Sequence, residues 1–467
     1  MTMLAAKLRA LVGDDGVLEE AGDLAGYRGD LALQTDGPLL AVVRPRSTIE
    51  VAAVVRACCD ANVALTPRGG GTGLAGGAAP TADRPSVVIS FERMRAIRQV
   101  DTVGDVMLVE AGCSLHEARE AAASAGRLLG LDHGGLSSQI GGNLATNAGG
   151  NNVLRYGMAR EQVLGLEVVL ADGEVLSLLS PLRKNNAGYD LRQLFLGAEG
   201  TLGLITAAAL KLRPAPVVRA TACLGLQTLD AVLDLFVRAR TALGEAISAF
   251  EVLPRAGLDL HFAHVGRVRG PFPMTTPWAV LLEADSASPY FDLSRAVDEL
   301  FTAALGDGVV VDGTVAASEA QRQALWTLRE GIAHAMIETP GSLKSDSAVP
   351  VTAIGAFVTE ATRAVETVVP GCRPVPFGHV GDGNIHFNVL PPRGMTGEAF
   401  MGCWGEVTEA IEAVALGLGG TVSAEHGIGA LKRMALRRMR SAAEIDAMRR
   451  LKAAFDPRGL LNPAKIL

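Results

Sequence analysis

The chain has 467 residues, with 43 basic and 50 acidic side chains and a formal charge of −7, and its lack of any Lys/Arg block gives no support for a nucleic-acid or anionic-membrane partner. The 49% share of apolar residues, with 20% charged, excludes a disordered chain. Six cysteines without a C-x-x-C pattern, and no apolar run of membrane-spanning length, argue against a disulfide framework, an iron–sulfur cluster and a membrane span.

The N-terminal segment is amphipathic, with Leu4, Leu8 and Leu11 at helical spacing. It lacks the apolar h-region of a signal peptide, and its one arginine, Arg9, is too few for a transit peptide. We therefore expect a cytoplasmic protein.

Short β-type runs alternate with glycine-rich turns in the first part of the chain. Residues 87–90 and 105–112 read as strands, and residues 166–178 read as a hairpin that turns at Asp172-Gly173. Residues 47–62 form an amphipathic pattern with Ser47 or Thr48 as N-cap, so a helix is predicted there. This mixture predicts an α+β domain over residues 1–215.

The character of the chain changes after Arg213-Pro214-Ala215-Pro216. Residues 228–243 and 294–305 have helical periodicity, and residues 278–285 between them read as a strand. We expect a second α+β domain over residues 216–425. From Gly427 onwards a long basic helical stretch is predicted, and residues 426–467 are expected to form a C-terminal segment.

Glycine makes up 54 residues, about 12% of the chain against a typical 7%, and its densest cluster is Thr66–Gly77. Residues 71–76 match G-x-G-x-x-G, but Gly76, Gly77 and Pro80 interrupt the helix that a nicotinamide fingerprint requires. A wide nest of backbone N–H groups around a pyrophosphate, with the Thr72 hydroxyl beside it, fits the residues better.

Two further segments share this character. Ser137–Asn152 is too small and polar for a core, and it offers many backbone and side-chain donors to a polyphosphate. Gly197–Thr206 precedes a strand and offers amides to a heteroaromatic ring. Three such segments together indicate a large nucleotide cofactor.

These segments carry a resemblance that spans the chain. PRGGGTGLAGG, SSQIGGNLATNAGGN, VLGLEVVLADG, KNNAGYDLRQLFLGAEGTLGLIT and FDPRGLLNP together resemble the vanillyl-alcohol-oxidase/p-cresol-methylhydroxylase flavoprotein superfamily. The resemblance implies a two-part FAD-binding domain, built from the N-terminal region and the C-terminal tail at Asn462-Pro463, with an α+β substrate domain between. Many covalent members carry a histidine in the first loop. This chain has none there, so noncovalent FAD is expected.

The resemblance also implies that the pyrophosphate lies on residues 68–73. The expected cofactor-binding residues are Pro67, Arg68, Gly69, Gly70, Gly71, Thr72, Gly73, Leu74, Ser137, Ser138, Gly141, Gly142, Thr146, Asn147, Gly150, Ile205 and Asn462.

Two of the eight histidines, His379 and His386, flank the turn Gly381-Asp382-Gly383-Asn384. His379 is expected to end one strand and His386 to begin the next. With Glu425 they form a His₂Glu set, a common arrangement in catalytic zinc sites that leaves positions open for substrate. A divalent metal, with zinc as the expected ion, is therefore predicted.

Glu425 and His426 are adjacent, so they cannot easily point the same way. One can bind the metal while His426 faces the reacting group. The hypothesis is that the metal chelates the α-hydroxyl and α-carboxylate of a 2-hydroxy acid, and that His426 removes the hydroxyl proton while a hydride leaves Cα for flavin N5. Asn388 would share a strand face with His386 and orient substrate or ligand.

Residues 325–332 (LWTLREGI) are predicted to open a helix, with Lys344-Ser345-Asp346 about four turns further on. In the resembled family the arginine of W-x-x-R, here Arg329, contacts the substrate carboxylate. The lysine two residues before the aspartate resembles the pattern of enzymes that oxidise D-2-hydroxyglutarate. D-lactate dehydrogenases carry a small residue at that position. Ala333 offers no hydroxyl where some of these enzymes have threonine.

Arg329 and Lys344 can clamp the distal carboxylate of a hydroxy diacid. The sequence and the resemblance therefore predict oxidation of a D-2-hydroxy acid. The leading candidate is D-2-hydroxyglutarate, which would be oxidised to 2-oxoglutarate, and D-malate is a related candidate. The alternatives are a D-lactate dehydrogenase or glycolate oxidase flavin subunit, a flavin-free metal hydrolase, and a non-catalytic nucleotide-binding module. Family resemblance suggests an electron-transfer flavoprotein or a quinone-linked acceptor, and it leaves the oligomeric state open, with a homodimer as one option.

Overall fold

The computed structural model describes residues 2–266 and 275–467. Within them the chain forms two compact units. The first unit comprises the described residues up to Gly150, together with Gly157–Ala215 and Glu425–Leu467. The second comprises Asn151–Tyr156 and Pro216–Ala424. Both ends of the chain thus belong to the first unit.

The strands are numbered in chain order. They are β1 Val17–Leu18, β2 Leu39–Val43, β3 Ala64–Arg68, β4 Ser86–Ser90, β5 Ile97–Asp101, β6 Val106–Glu110, β7 Arg127–Leu129, β8 Val163–Val169, β9 Val175–Leu178, β10 Leu204–Pro214, β11 Val218–Leu226, β12 Ile247–Pro254, β13 Trp278–Ser286, β14 Asp312–Val315, β15 Ser347–Ala348, β16 Arg373–His379 and β17 Asn384–Leu390.

The α-helices are numbered in the same way. They are α1 Thr2–Val12, α2 Ala21–Ala25, α3 Thr48–Asp60, α4 Leu115–Ser124, α5 Ile140–Ala145, α6 Val153–Tyr156, α7 Arg192–Phe195, α8 Leu229–Leu243, α9 Arg255–Val265, α10 Leu293–Gly306, α11 Glu319–Glu338, α12 Ile354–Val368, α13 Gly397–Met401, α14 Trp404–Gly417, α15 Arg433–Met439 and α16 Ala442–Phe455.

The first unit contains two sheets. One has the order β1-β2-β4-β3, and its inner pairs β2–β4 and β4–β3 are parallel. β2 is a continuous apolar run (LLAVV), and both of its faces are covered: Ala41 and Val43 pack into one core, and Leu39 and Val42 into another. The other sheet is antiparallel, with the order β5-β6-β10-β8-β9, and β7 pairs with β10.

The second unit is built on one antiparallel sheet of the order β14-β11-β13-β12-β16-β17-β15. Its larger core combines one sheet face with residues of α8, α10, α12, α13 and α14, including Phe357 and Phe400. A smaller core lies on the opposite face, where β16 contributes Phe377 and α11 contributes Leu328 and Ile332. Beyond that smaller core, the second face carries the polar residues described below.

Several local predictions are confirmed. Ser47 caps α3 by accepting from Glu50 N, and β8 and β9 form the hairpin predicted at Asp172-Gly173. Val51, Val54 and Val55 are buried along one stripe of α3, as its periodicity requires. The α+β fold class is likewise confirmed.

The C-terminal helical stretch differs from its prediction. It is divided into α15 and α16, which are separated at Arg440. Ser441 and Glu444 form a capping box that starts a new helix, so a second N-terminus replaces the expected continuation.

Within the residues that the structure describes, every helix is too short or too polar to cross a lipid bilayer.

Candidate active site

The first glycine-rich loop follows directly from β3, which ends at Arg68. A Cβ at Gly70 would lie 2.5 Å from the Ser137 carbonyl oxygen, and Gly71 has a φ of +70°. The loop and the second predicted segment are therefore in close backbone contact, which only glycine allows. Arg68 lies over the Tyr27 ring at 5.2 Å and donates to the Gly29 carbonyl. Its partial burial lowers the pKa of the guanidinium.

The second segment contains α5, which was not predicted there. Ser138 Oγ, Gln139 Oε1 and Asn143 Nδ2 are buried and have no hydrogen-bond partner among the described residues. A buried polar atom without a partner is costly in a folded protein. A phosphate-rich, hydrogen-bonding cofactor would satisfy such groups, so the residues of this segment fit FAD.

The third segment contributes a buried carboxylate that contacts the C-terminal part of the chain. Glu199 is buried and accepts hydrogen bonds from Ile428 N (2.7 Å) and Gly429 N (2.8 Å). Burial raises the pKa of this carboxyl, and the two amide bonds oppose the rise. Asn462 Nδ2 donates to the Glu199 carbonyl at 2.7 Å and to the Gly77 carbonyl at 3.0 Å. The C-terminal segment thus completes the glycine-rich region.

The other residues predicted to bind the cofactor also belong to the first unit. They are Pro67, Gly69, Thr72, Gly73, Leu74, Gly141, Gly142, Thr146, Asn147, Gly150 and Ile205.

Glu425 and His426 begin the C-terminal part of the first unit. A Cβ at Gly149 would lie 2.7 Å from Glu425 Oε2, so this carboxylate is beside the second segment. The pKa of His133 is lowered mainly by burial, and the charge of Glu425 opposes that change. His426 is half-buried. The predicted base and one predicted metal ligand therefore lie in the first unit.

The second unit presents a polar face at the β15 edge of its sheet. The chain from Leu343 to Ala348 runs antiparallel beside β17. In this register Lys344 lies opposite Asn388, and Asp346 lies opposite His386. Directly opposite residues of an antiparallel pair share a face. The strand pairing therefore brings together two predicted substrate residues and one predicted metal ligand.

β16 adds His379 to the same face, because it lies two residues from Phe377, which pairs with His386. The His379 and His386 rings are 5.5 Å apart between centroids. The turn between them is tight: Gly383 has a φ of +80°, and a Cβ there would lie 2.1 Å from the Val349 carbonyl oxygen. The predicted placement of the two histidines on neighbouring strands is confirmed.

Asp346 was not selected from the sequence. It is buried, and its carboxylate accepts from Asn384 Nδ2 at 3.2 Å and from Ser423 Oγ at 3.4 Å. Asp346 and His386 offer ligand atoms within 4.8 Å of each other. A carboxylate next to an imidazole is a donor set that suits a divalent cation such as zinc.

A buried carboxylate links His379 to Arg329. His379 Nδ1 is 2.7 Å from Glu251 Oε1, and Arg329 Nε donates to Glu251 Oε2 at 2.6 Å. Burial alone would raise the pKa of Glu251, but the charges of His379 and Arg329 lower it to about 2. The carboxylate is therefore ionised, and Arg329 is held firmly over the Phe377 ring at 4.9 Å.

The predicted boundaries around Arg329 are wrong. α11 begins at Glu319, after the N-cap Ser318, and ends at Glu338. Pro340 and Gly341, the latter with a φ of +74°, prevent its continuation. Lys344 is consequently not on a helix but on the extended chain beside β17.

The Lys344 side chain reaches solvent, and partial desolvation of its ammonium group lowers the pKa of that group. Asn388 is buried, and its Oδ1 accepts from Ser345 N at 3.0 Å. Ser345 Oγ donates in turn to the Phe387 carbonyl at 3.0 Å. The Asn388 side chain thus fixes the backbone next to Lys344.

Sequence reasoning missed Glu199, Glu251 and Asp346. A signal was available for Glu251, because it is an acidic residue inside the apolar strand sequence ISAFEVLP. Acidic residues in such runs are rarely buried unless they are paired. Asp346 was visible only as the last residue of the Lys344-Ser345-Asp346 triplet.

Comparisons with known proteins agree with this organisation. A model of the FAD binding domain matches residues 39–179, and a model of the FAD linked oxidases, C-terminal domain, matches residues 215–466. The flavin-free hydrolase predicted as an alternative is contradicted by these matches.

Two curated relatives match nearly the whole chain. D-2-hydroxyglutarate dehydrogenase, mitochondrial, of Bos taurus is 38% identical over 467 residues, covering 99% of this chain and 83% of the relative. D-2-hydroxyglutarate dehydrogenase of Xanthomonas citri pv. viticola is 38% identical over 449 residues, covering 96% and 93%.

Among solved structures, p-cresol methylhydroxylase with substrate bound aligns with a TM-score of 0.77 at 17% identity, covering 100% of this chain and 96% of the other. At that identity the likeness concerns the fold alone, and it confirms the superfamily fold predicted from the sequence motifs. With one family model covering more than half of its length and relatives matching almost all of it, the chain belongs to the FAD-linked oxidases, as an FAD-dependent oxidoreductase.

Proposed function

We propose that the chain is an FAD- and divalent-metal-dependent dehydrogenase that oxidises D-2-hydroxyglutarate to 2-oxoglutarate. The relatives from Bos taurus and Xanthomonas citri pv. viticola carry that activity in their names. The observation that carries the proposal is the polar face of the second unit, where Lys344 lies in register with Asn388, beside His386.

The proposed metal ligands are His379, His386 and Glu425, as the sequence predicts. Asp346 supports His386, because its carboxylate lies within 4.8 Å of that imidazole. When bound, FAD supplies a hydride acceptor at N5, and a divalent cation, for which we propose zinc, supplies a Lewis acid beside the α-hydroxyl.

His426 is the proposed base for the hydroxyl proton. An imidazole suits this task because its ordinary pKa is close to neutral pH. Its neighbour Glu425 lies beside Gly149, in the second glycine-rich segment, Ser137–Asn152. That position supports a role for His426 close to the cofactor, while the hydride leaves the substrate Cα.

Arg329 and Lys344 are the proposed clamp for the distal carboxylate. Arg329 is held by Glu251 through Nε, and a planar guanidinium held at one edge can still present its other N–H groups. Lys344 contributes a point charge from the extended chain. Asn388 keeps that chain segment in place through Ser345 N. A monocarboxylate such as D-lactate has no distal carboxylate to offer to either cation.

The test is an anaerobic titration of the purified protein with D- and L-2-hydroxy acids, following flavin absorbance with and without a chelator. D-2-hydroxyglutarate should bleach the flavin faster than D-malate or D-lactate, the L-acids should not bleach it, and the chelator should abolish bleaching. Faster reduction by D-lactate or glycolate would favour a D-lactate dehydrogenase or glycolate oxidase flavin subunit. A flavin that no hydroxy acid bleaches would favour a non-catalytic module.

The proposal includes noncovalent FAD, because residues 68–73 contain no histidine. Acid precipitation should therefore leave the flavin in the supernatant, and a yellow pellet would contradict this point. We further propose a cytoplasmic enzyme re-oxidised by an electron-transfer flavoprotein or a quinone-linked acceptor. A homodimer is the oligomeric state to be tested by light scattering.

A further inference from the structure

Glu251 lies inside β12, and its side chain is 1% exposed. The residue pairs directly with His379 of β16 in the sheet, so both side chains are on the same face. Its two carboxylate oxygens contact different partners, one the His379 ring and the other Arg329 Nε. Each oxygen therefore has a donor of its own.

The contact with His379 determines which ring nitrogen carries a proton. One carboxylate oxygen accepts from Arg329 Nε, and the other lies 2.7 Å from His379 Nδ1, so Nδ1 donates to Glu251 and a metal ion that binds this ring must do so through Nε2. A histidine that binds a metal through Nε2 needs this tautomer and a fixed ring orientation. Arg329 balances the charge of the buried carboxylate and so keeps it ionised.

A second buried acid in the same sheet provides a comparison. Glu283 of β13 is paired with Arg322 at 2.7 and 3.0 Å. Arg322 lies on α11, as Arg329 does. Its further donors are Trp326 Nε1 and Thr221 Oγ1, both at 2.8 Å, and none of these partners is an imidazole. The two acids thus share burial and an arginine, and they differ in the contact with a histidine.

We infer that Glu251 is a positioning residue of the metal site, which holds the Nδ1 edge of the His379 ring and so directs a divalent cation to Nε2. The inference rests on the proposed function, because it takes His379 as a metal ligand. It assigns Glu251 a role through His379 rather than a contact with substrate.

The test is the affinity for Zn²⁺, measured by competition with a chelating indicator, in the wild type and in Glu251→Gln. In the variant, the amide oxygen accepts from Arg329, whose Nε is always a donor, and the amide NH₂ faces His379 Nδ1. That contact moves the ring proton to Nε2, which then cannot bind metal. We expect roughly 10- to 100-fold weaker binding with unchanged FAD content.

Glu283→Gln is the matched control, and its Zn²⁺ affinity should stay within about twofold of the wild type. Glu251→Asp keeps the charge beside Arg329 but shortens the side chain, so it should weaken Zn²⁺ binding even where Glu251→Gln fails to fold. Substitution with Co²⁺ gives a second readout, because its absorption band should change in the Glu251 variants and not in Glu283→Gln.

Two results would contradict the inference in distinguishable ways. A wild-type protein that binds no Zn²⁺ would overturn the metal part of the proposed function, and the inference with it. A wild-type protein that binds Zn²⁺ stoichiometrically, with equal affinity in both Glu251 variants, would overturn the role of Glu251 alone.

Discussion

The two units differ in the groups that they offer to a ligand. In the first unit the site is made mainly of backbone, and glycine is required where the chain segments approach each other, as at Gly70 against Ser137. In the second unit it is made of polar, ionisable side chains that three neighbouring strands place on one face, as with Glu251, His379 and His386. A backbone site tolerates little added volume, whereas a side-chain site tolerates little loss of charge.

The difference matters for function because a substitution that weakens binding at one kind of site should leave binding at the other unchanged. A methyl group added in the first unit should affect FAD retention without changing substrate preference. A charge removed from the second unit should change substrate or metal binding while FAD stays bound. Substitutions in each unit can therefore test whether this separation holds.

The largest effect is expected for His426→Ala, since a positioned acid–base group contributes roughly 10²- to 10⁴-fold to the rate. Turnover should fall by that factor while FAD and metal content remain at wild-type levels, as measured by flavin absorbance and elemental analysis. His116→Ala, which removes an exposed histidine of the same unit, is the control. Near-wild-type turnover in His426→Ala would exclude His426 as the base.

Lys344→Ala should have the next largest effect, and it tests the charged face of the second unit. Losing a charged hydrogen-bond partner costs about 1.5–3 kcal/mol, so kcat/KM for D-2-hydroxyglutarate should fall roughly 10- to 150-fold. The loss for D-lactate should be much smaller. Arg295→Ala removes an exposed cation of the same unit and should change neither value. Equal losses for the two acids would contradict a clamp for the distal carboxylate.

Gly142→Ala tests the backbone site. A Cβ at Gly142 has nothing within 4 Å in the protein, so the variant should fold normally. If the cofactor lies against this glycine, the methyl group overpacks the complex, which costs roughly 1–3 kcal/mol, or about 5- to 150-fold in FAD affinity. Equilibrium dialysis measures this change, and Gly22→Ala, equally open and far along the chain in α2, is the control. Unchanged FAD affinity would place the cofactor elsewhere.

The smallest effect is expected for Ser441→Ala, which touches neither kind of site. It removes the capping box of α16 at a cost of about 1 kcal/mol. For a unit of this size the thermal midpoint should fall by about 2–4 °C, with FAD content and substrate preference unchanged. Ser124→Ala at the last residue of α4 should leave the midpoint where it is. A change in substrate preference would show that the two units are not separable.

The sequence predicted the glycine-rich segments of the first unit more completely than the polar face of the second unit. Glycine clusters such as residues 69–73 are visible in the sequence because the required conformations are allowed to few other residues. The strands and the Ser47 cap were also predictable, since they depend on local pattern.

The charged face of the second unit depends on which strands are neighbours. Glu251 and His379 are 128 positions apart, and nothing local relates them before β12 and β16 are paired. Asp346 joins this face only through its register with His386. The extent of α11 was misjudged because the helix starts at a serine cap, Ser318, upstream of the W-x-x-R pattern.

The hydrogen bonds of Asn462 have a consequence for biosynthesis. Its side-chain amide closes onto Gly77 and Glu199, which leave the ribosome several hundred residues earlier. Pro216–Ala424, by contrast, can begin to fold while the ribosome is still completing the chain. The glycine-rich region should therefore be completed only after residues 425–467 have been synthesised, at a time when the second unit can already have folded.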